Sequence, residues 1–186
     1  VPAPYWVGAL YAVETSGDIS PTRFASGLRA YGRLPQALRA RIDGLNTLQV
    51  KSRERERRNR LTDMVPGDNC AVQALVGRQR GTDRPYLFAG EWHTDCVIGL
   101  SAADSEKLLA ELFSYQYAAE NIYDHYWKTG DLVVWDNCAV QHARKASGAG
   151  TRTLQRVSAG PFAYWDQYPL DRGSLEKLAT VEKPAA

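Results

Sequence analysis

The stretch 128–160 constrains the fold of this chain most strongly, because its sequence predicts three strands in close succession. The apolar, β-branched and aromatic run Leu132–Trp135 predicts a buried strand, preceded by a Gly-Asp turn. Two polar residues interrupt it, and Ala139–His142 predicts a second strand with an imidazole near its end. After a glycine-rich loop, the alternating run Thr151–Ala159 predicts a third strand. A chain organised around these strands is expected to be mainly β.

The third strand adds two positive charges to the histidine of the second. Residues two positions apart on a strand point to the same side, so Arg152, Leu154 and Arg156 share one face. That face would also carry His142, whose imidazole is suited to act as a metal ligand or as a base. Guanidinium groups bind carboxylates through two parallel hydrogen bonds. The stretch therefore predicts two arginines that can bind a carboxylate, next to a histidine that can act as a metal ligand or as a base.

The joint spacing of these residues resembles a known family signature, although each residue taken singly would more often be an ordinary polar or surface residue. The family is that of the Fe(II)/2-oxoglutarate-dependent dioxygenases related to taurine and 2,4-dichlorophenoxyacetate dioxygenases. Its C-terminal signature is G-D-L-V-x-W-D-N, four residues, a histidine, and two arginines with three residues between them. The matching residues are Gly130, Asp131, Trp135, Asp136, Asn137, His142, Arg152 and Arg156.

The resemblance implies a role for each charged residue of the signature. His142 would be the distal iron ligand, and Arg152 would bind the distal carboxylate of 2-oxoglutarate. Arg156 would be a second anion-binding arginine that faces substrate or co-substrate. Asp136 and Asn137 are expected to fix the strand bend beside the histidine rather than to contact iron.

The front of the chain resembles the same family. The matching residues are Leu10, Tyr11, Ala12, Gly17, Asp18, Thr22, Phe24, Ala25, Ala30, Tyr31, Leu34, Pro35, Gly44 and Leu45. The resemblance implies that Thr22 donates its hydroxyl to 2-oxoglutarate. From local sequence alone, 21–25 opens a helix, with Phe24, Leu28 and Tyr31 at helical spacing, and Thr22 serves equally well as a helix cap.

The remaining iron ligands have two interpretations. Such a site needs two histidines and one carboxylate, and the chain has one literal H-x-D match, His93-Thr94-Asp95. Residues i and i+2 of a strand point the same way, so this pair would reach one metal together with His142. In the family, however, the H-x-D pair precedes the segment that contains Thr22. The resemblance therefore favours ligands that lie before Val1, and no metal at His93 and Asp95; both assignments stay open here.

The resemblance implies a mainly β fold with α: a double-stranded β-helix, or cupin-like jelly roll, with flanking helices. We expect it to be N-terminally incomplete. Residues 1–186 would form a single oxygenase domain, with a variable, mobile insertion at 51–70 and a C-terminal segment at 162–186 that wraps the surface. The helix predicted at 101–119, with a capping box of Ser101 and Asp104, should pack outside the sheet. His125, on a strand predicted at 122–127, is expected to have no chemical role.

Composition excludes several classes of partner. The net charge of +2 is too small to indicate nucleic acid. The charge run Lys51–Arg60 contains two glutamates and no aromatic residue, so it predicts a solvated helix or loop, with a nucleic-acid patch as the alternative. Three scattered cysteines, Cys70, Cys96 and Cys138, favour a reducing, cytoplasmic location. No apolar run is long enough to span a membrane, and no signal peptide is visible.

The function implied by the resemblance is that of an oxidoreductase. It would use Fe(II), 2-oxoglutarate and O2 to hydroxylate an unactivated C–H bond of a small, anionic organic substrate, releasing succinate and CO2. With one ligand of three, the 186-residue chain is expected to bind Fe(II) weakly and to be inactive alone. One alternative is a catalytically inactive jelly-roll binding protein that lacks the H-x-D ligands. Another is an iron oxygenase of a different family that uses His93, Asp95 and His142. Assembly into a homo-oligomer is compatible with the sequence.

Overall fold

The computed structural model describes residues 4–51, 60–64, 69–144 and 149–161. The strands of this part of the chain are β1 (Val7–Ser16), β2 (Thr22–Ser26), β3 (Asn46–Lys51), β4 (Asn69–Ala74), β5 (Val76–Arg78), β6 (Pro85–Leu87), β7 (Thr94–Val97), β8 (Ile122–His125), β9 (Leu132–Asp136), β10 (Val140–Arg144) and β11 (Thr151–Ala159). The α-helices are α1 (Gly27–Arg33), α2 (Gln36–Ile42) and α3 (Ala102–Gln116), and 3₁₀ turns lie at Leu61–Asp63 and Ala119–Asn121. Most of the insertion predicted at 51–70, and all of the segment predicted at 162–186, lie outside the described residues.

Two antiparallel sheets form the part of the fold that positions the site. One has the strand order β11-β1-β9 and the other the order β10-β2-β8. Phe24 of β2 meets Trp135 of β9 edge to face, with ring centroids 5.4 Å apart, so the two sheets pack against each other through their inner faces. This mainly β arrangement agrees with the jelly roll that the sequence predicts.

The helices pack outside these sheets, as predicted for the helix at 101–119. That helix is α3, and Ser101 caps it by accepting a hydrogen bond from the backbone N–H of Asp104. Its buried leucines join α1, α2 and the strands β6 and β7 in one apolar core. The core residues are Ala30, Leu34, Leu38, Ile42, Leu75, Leu87, Ala89, Val97, Leu108, Leu109 and Leu112. The sheet β4-β3-β7 and the hairpin β5-β6 lie beside this core.

Residues 22–26 form strand β2, so the helix predicted to open at 21–25 is wrong. Strand β2 pairs with β10 on one side and β8 on the other, which satisfies its backbone donors and acceptors. Arg23 adds two hydrogen bonds of 2.8 Å to the carboxylate of Asp124 on β8. The helix α1 begins only at Gly27, with Ser26 as its N-cap. Pairing between distant segments therefore overrides the local helical spacing, and Thr22 is not a helix cap.

Strand β9 is buried on one face only, whereas its continuous apolar run predicts burial on both. Trp135 is 7% exposed, but Leu132 and Val134 are 63% and 59% exposed. The outer face of the same sheet carries Tyr11 and Val157, which are also exposed. Within the described residues this apolar face stays uncovered, and the helices pack instead against the strands β6 and β7.

Gly8 of β1 allows the indole of Trp135 to lie across its strand, since a Cβ at this position would overlap the ring. We expect Gly8→Ala to displace the indole and to lower the free energy of unfolding by about 1–3 kcal/mol, as overpacking does. Urea denaturation measures this change. Gly32→Ala is the matched control, because its added methyl group meets nothing within 4 Å. It should leave stability unchanged or raise it by up to about 1 kcal/mol. Equal unfolding midpoints for the two variants would contradict this packing explanation.

Candidate active site

His142 lies between the two sheets. It is the third residue of β10 and stands opposite Phe24 of β2. Its half-buried ring lies 4.7 Å from the ring of Trp135 and 6.2 Å from that of Phe24, measured between centroids. Strand β10 continues to Arg144, so His142 sits in the middle of its strand rather than near the end as predicted. Strands from both sheets thus hold the imidazole.

The environment keeps His142 uncharged. Burial, followed by the positive charge of Arg156, lowers the pKa of His142 to about 4. At neutral pH the ring is therefore neutral, and one of its nitrogens carries a lone pair. This is the form of histidine that binds a metal ion or accepts a proton.

The turn between β9 and β10 fixes the strand that carries His142. The Oδ1 atom of Asp136 accepts hydrogen bonds of 3.0 and 3.1 Å from the backbone N–H groups of residues 138 and 139. The side-chain amide of Asn137 donates to the carbonyl of Tyr5 over 3.1 Å. These bonds confirm that Asp136 and Asn137 fix the bend beside the histidine.

Arg152 and Thr22, which are predicted to bind the same carboxylate, are in contact. The Nη1 atom of Arg152 donates to the carbonyl of Ser20 over 2.6 Å and to Oγ1 of Thr22 over 3.3 Å. Burial, followed by the nearby positive charge of Arg144, lowers the pKa of Arg152. In the described ranges no carboxylate forms an ion pair with this half-buried guanidinium. The surroundings of Arg152 therefore favour an anion that the described residues do not provide there.

Arg156 lies on the inner face of β11, on the same side as Arg152, as the strand alternation predicts. Its Nε atom donates to the hydroxyl of Ser158 over 3.4 Å, and its charge acts on His142. The predicted site residues thus form two groups, His142 with Arg156 and Thr22 with Arg152. Arg144 lies between the two groups. It is two residues after His142 on the same face of β10, and it stands opposite Thr22 of β2.

Two further residues belong to this site, and the sequence pattern assigned neither of them to it. The indole N–H of Trp127 donates to Oγ1 of Thr22 over 2.9 Å. The ring of His125 meets the indole edge to face, with centroids 4.5 Å apart. The signal that points to them is alternation, because Tyr123, His125 and Trp127 are spaced by two along and just beyond the strand that pairs with β2.

His93 and Asp95 do not join His142. His93 lies in an exposed turn before β7, and β7 belongs to a different sheet from the strand that carries His142. The carboxylate of Asp95, on β7, lies 3.6 Å from Nη1 of Arg60. Among the described residues, no group of three His, Cys, Asp or Glu is placed to hold a metal ion. The interpretation that uses His93, Asp95 and His142 as iron ligands is therefore wrong. Of the described residues, Arg152 and Thr22 offer hydrogen-bond donors for a carboxylate and His142 offers one ring nitrogen for a metal ion, but no complete set of three metal ligands is present among them.

A separate cavity of about 650 Å³ lies between the start of β1, the β5-β6 hairpin and the end of β9. Its walls include Trp6, Arg80 and Tyr86, and the guanidinium of Arg80 lies 3.2 Å from the centroid of the Trp6 ring. Trp135 lines this cavity and also contacts His142, but none of the four predicted site residues lines it. The cavity therefore adjoins the candidate site without containing it.

Two features of the described residues concern the location of the protein, namely its helices and its cysteines. No helix in the described part of the chain has the length and apolar character needed to cross a membrane. Cys70, Cys96 and Cys138 are free thiols, in agreement with the absence of a disulfide framework. A cytoplasmic location stays a prediction.

The chain is similar in sequence to a known family of proteins. Residues 4–158 match the family model described as taurine catabolism dioxygenase TauD, TfdA family. The alpha-ketoglutarate-dependent 2,4-dichlorophenoxyacetate dioxygenase of Cupriavidus pinatubonensis is 31% identical over 157 residues, which make up 82% of this chain and 53% of that protein. The (S)-phenoxypropionate/alpha-ketoglutarate-dioxygenase of Sphingobium herbicidovorans is 28% identical over 145 residues, covering 73% of this chain and 50% of the relative.

A solved structure shares the fold. AAD-2, crystallised with Mn(II) and N-oxalylglycine, superimposes with a TM-score of 0.73 at 23% sequence identity, over 87% of this chain and 66% of that one. The chain spans about half the length of the curated relatives that it matches. The family model, in contrast, covers most of the described residues and includes the strands that carry His142, Arg152 and Arg156. The chain therefore belongs to the taurine catabolism dioxygenase TauD, TfdA family.

Proposed function

We propose that the protein is an Fe(II)- and 2-oxoglutarate-dependent dioxygenase that hydroxylates an unactivated C–H bond of a small organic anion, with succinate and CO2 as co-products. The observation that supports this most is the pair of Arg152 and Thr22 beside a neutral His142. A half-buried guanidinium with no anion among the described residues is costly, and a dicarboxylate ligand would relieve that cost. The two relatives are named as dioxygenases that use alpha-ketoglutarate, and these names support the same class of reaction for this protein.

The residues of this chain would bind and orient the co-substrate. Arg152 and Thr22 would hold the distal carboxylate, one by charge-assisted hydrogen bonds and the other through its hydroxyl. His142 would hold Fe(II) through its unprotonated ring nitrogen, and two further ligands would come from outside the described residues. Bound iron, with 2-oxoglutarate and O2, supplies the oxidising chemistry, while the protein supplies orientation and exclusion of water.

The positive charge of Arg156 near His142 favours an anionic substrate. Its exposed guanidinium is close enough to lower the pKa of His142, and in the described ranges it forms no ion pair with a carboxylate. The substrates named for the two relatives, 2,4-dichlorophenoxyacetate and (S)-phenoxypropionate, are carboxylates. A small organic anion held by Arg156 is therefore the proposed substrate class, with no part for nucleic acid or membrane.

The competing function is that of a catalytically inactive jelly-roll protein. It is favoured by one observation, namely that the described residues contain no group of three His, Cys, Asp or Glu that could hold a metal ion. Such a protein would keep the pair of Arg152 and Thr22 and bind a dicarboxylate without turnover.

Titration of the full-length protein with 2-oxoglutarate separates the two functions. We expect saturable binding that N-oxalylglycine competes away, because that compound occupies the related AAD-2 structure. With Fe(II), O2 and an aryloxyalkanoate, we expect succinate in proportion to the O2 consumed. Binding without succinate at any Fe(II) concentration would favour the inactive binding protein. Failure to bind 2-oxoglutarate at all would contradict both functions.

A further inference from the structure

We propose that Trp127 is a positioning residue for the co-substrate. Its indole N–H holds the hydroxyl of Thr22 so that the hydroxyl proton points at the carboxylate bound by Arg152. This inference rests on the proposed function and deepens it, because it assigns a role to a residue outside the recognised signature.

The hydrogen bonds of Thr22 carry the inference. Its Oγ1 atom accepts from Nε1 of Trp127 over 2.9 Å and from Nη1 of Arg152 over 3.3 Å. Indole and guanidinium nitrogens are donors only, whereas a hydroxyl has two acceptor lone pairs and one proton. Both lone pairs of Thr22 are therefore in use, and its proton needs an acceptor elsewhere. Among the described residues, the Thr22 hydroxyl donates to none.

Burial makes this unmet donor significant. Thr22 is 3% exposed and Trp127 is 4% exposed, so bulk water has little access to the hydroxyl as a hydrogen-bond acceptor. A buried donor without an acceptor is unfavourable, and a ligand that supplies the acceptor removes the penalty. An ionised carboxylate, whose oxygens only accept, would take one hydrogen bond from Thr22 and others from Arg152. The indole thus converts Thr22 from a residue that both donates and accepts into one that donates to the ligand.

A second layer holds the indole in place. The ring of His125 meets that of Trp127 edge to face, with centroids 4.5 Å apart and an angle of 83° between the planes. The two ring nitrogens of His125 are engaged by Asp131 over 3.1 Å and by the hydroxyl of Tyr123 over 3.2 Å. Asp131 also accepts from the backbone N–H of Lys128 over 2.8 Å and closes the turn before β9. A ring fixed at both nitrogens therefore braces the indole that orients Thr22.

The test is a double-mutant cycle on the affinity for 2-oxoglutarate, measured by calorimetry on the full-length protein. Trp127→Phe keeps an aromatic ring and removes the N–H, and Thr22→Val keeps the shape and removes the hydroxyl. We expect Trp127→Phe to weaken binding about three- to tenfold, which corresponds to the net worth of one hydrogen bond. In the Thr22→Val background, the same change should have no further effect, because the group that it orients is already gone.

A second variant separates the loss of the indole N–H from a change in packing. Benzothienylalanine incorporated at position 127 keeps the size and shape of the indole and replaces its N–H by sulfur. It should reproduce the loss seen with Trp127→Phe while the unfolding temperature stays that of the wild type.

Two outcomes would overturn the inference, and they differ in what else they affect. If wild type binds 2-oxoglutarate and Trp127→Phe weakens binding equally with and without the Thr22 hydroxyl, the indole acts through packing alone, and the proposed function survives. If wild type does not bind 2-oxoglutarate, the proposed function fails together with the inference.

Discussion

Replacing His142 with alanine should abolish the binding of Co(II) to the full-length protein, and with it the formation of succinate. The imidazole is neutral at physiological pH, because burial and the charge of Arg156 lower its pKa to about 4. It is thus ready to coordinate a divalent metal without first losing a proton. Loss of residues that merely orient metal ligands costs about 10–100-fold in affinity, so loss of a ligand itself should cost more than about 100-fold. The visible absorption of bound Co(II) measures this affinity directly.

His93→Ala is the matched control for that experiment. Its imidazole lies in an exposed turn before β7, away from the two sheets that hold His142. The variant should bind Co(II) as tightly as the wild type does. Metal binding that His93→Ala abolishes and His142→Ala preserves would reverse the assignment of the ligand.

Arg152→Ala should weaken the binding of 2-oxoglutarate by about 2–5 kcal/mol, which is a factor of roughly 30 to 4,000 in the dissociation constant. The guanidinium contacts the carbonyl of Ser20 and the hydroxyl of Thr22, and in the described ranges no carboxylate neutralises it. Removing it would leave the distal carboxylate of the ligand without its charged partner. Arg152→Lys should recover only part of the loss, because an ammonium group does not bind a carboxylate through two parallel hydrogen bonds.

Arg144→Ala provides the control for charge alone. Arg144 is exposed, and its charge acts on Arg152, so its loss removes one positive charge from the neighbourhood without removing the proposed contact. Its effect on the affinity for 2-oxoglutarate should stay below about 1 kcal/mol. Calorimetric titration at fixed ionic strength compares the variants. An Arg152→Ala protein that binds 2-oxoglutarate like the wild type would refute the role of this arginine.

Local patterns in the sequence determined much of this site. The alternation in β11 placed Arg152 and Arg156 on the same face, because successive side chains of a strand must point to opposite sides. The polar pair after Trp135 predicted the bend at Asp136, whose carboxylate accepts from the backbone N–H groups of residues 138 and 139. Gly130 predicted the turn before β9, and it adopts a φ of +93°, which suits glycine. Ser101 and Asp104 predicted the start of α3.

Only the tertiary structure decided the features that depend on contacts between distant segments. Phe24, Leu28 and Tyr31 have helical spacing, but pairing with β10 and β8 makes residues 22–26 a strand. The H-x-D match at His93 satisfies the spacing of a metal motif, yet it lies in another sheet from His142. The contact of Trp127 with Thr22 joins residues far apart in the chain, and alternation predicts only the face on which Trp127 lies, not the residue that it meets. Spacing along the chain specifies which way a side chain points, whereas strand pairing and packing specify which other side chain it meets.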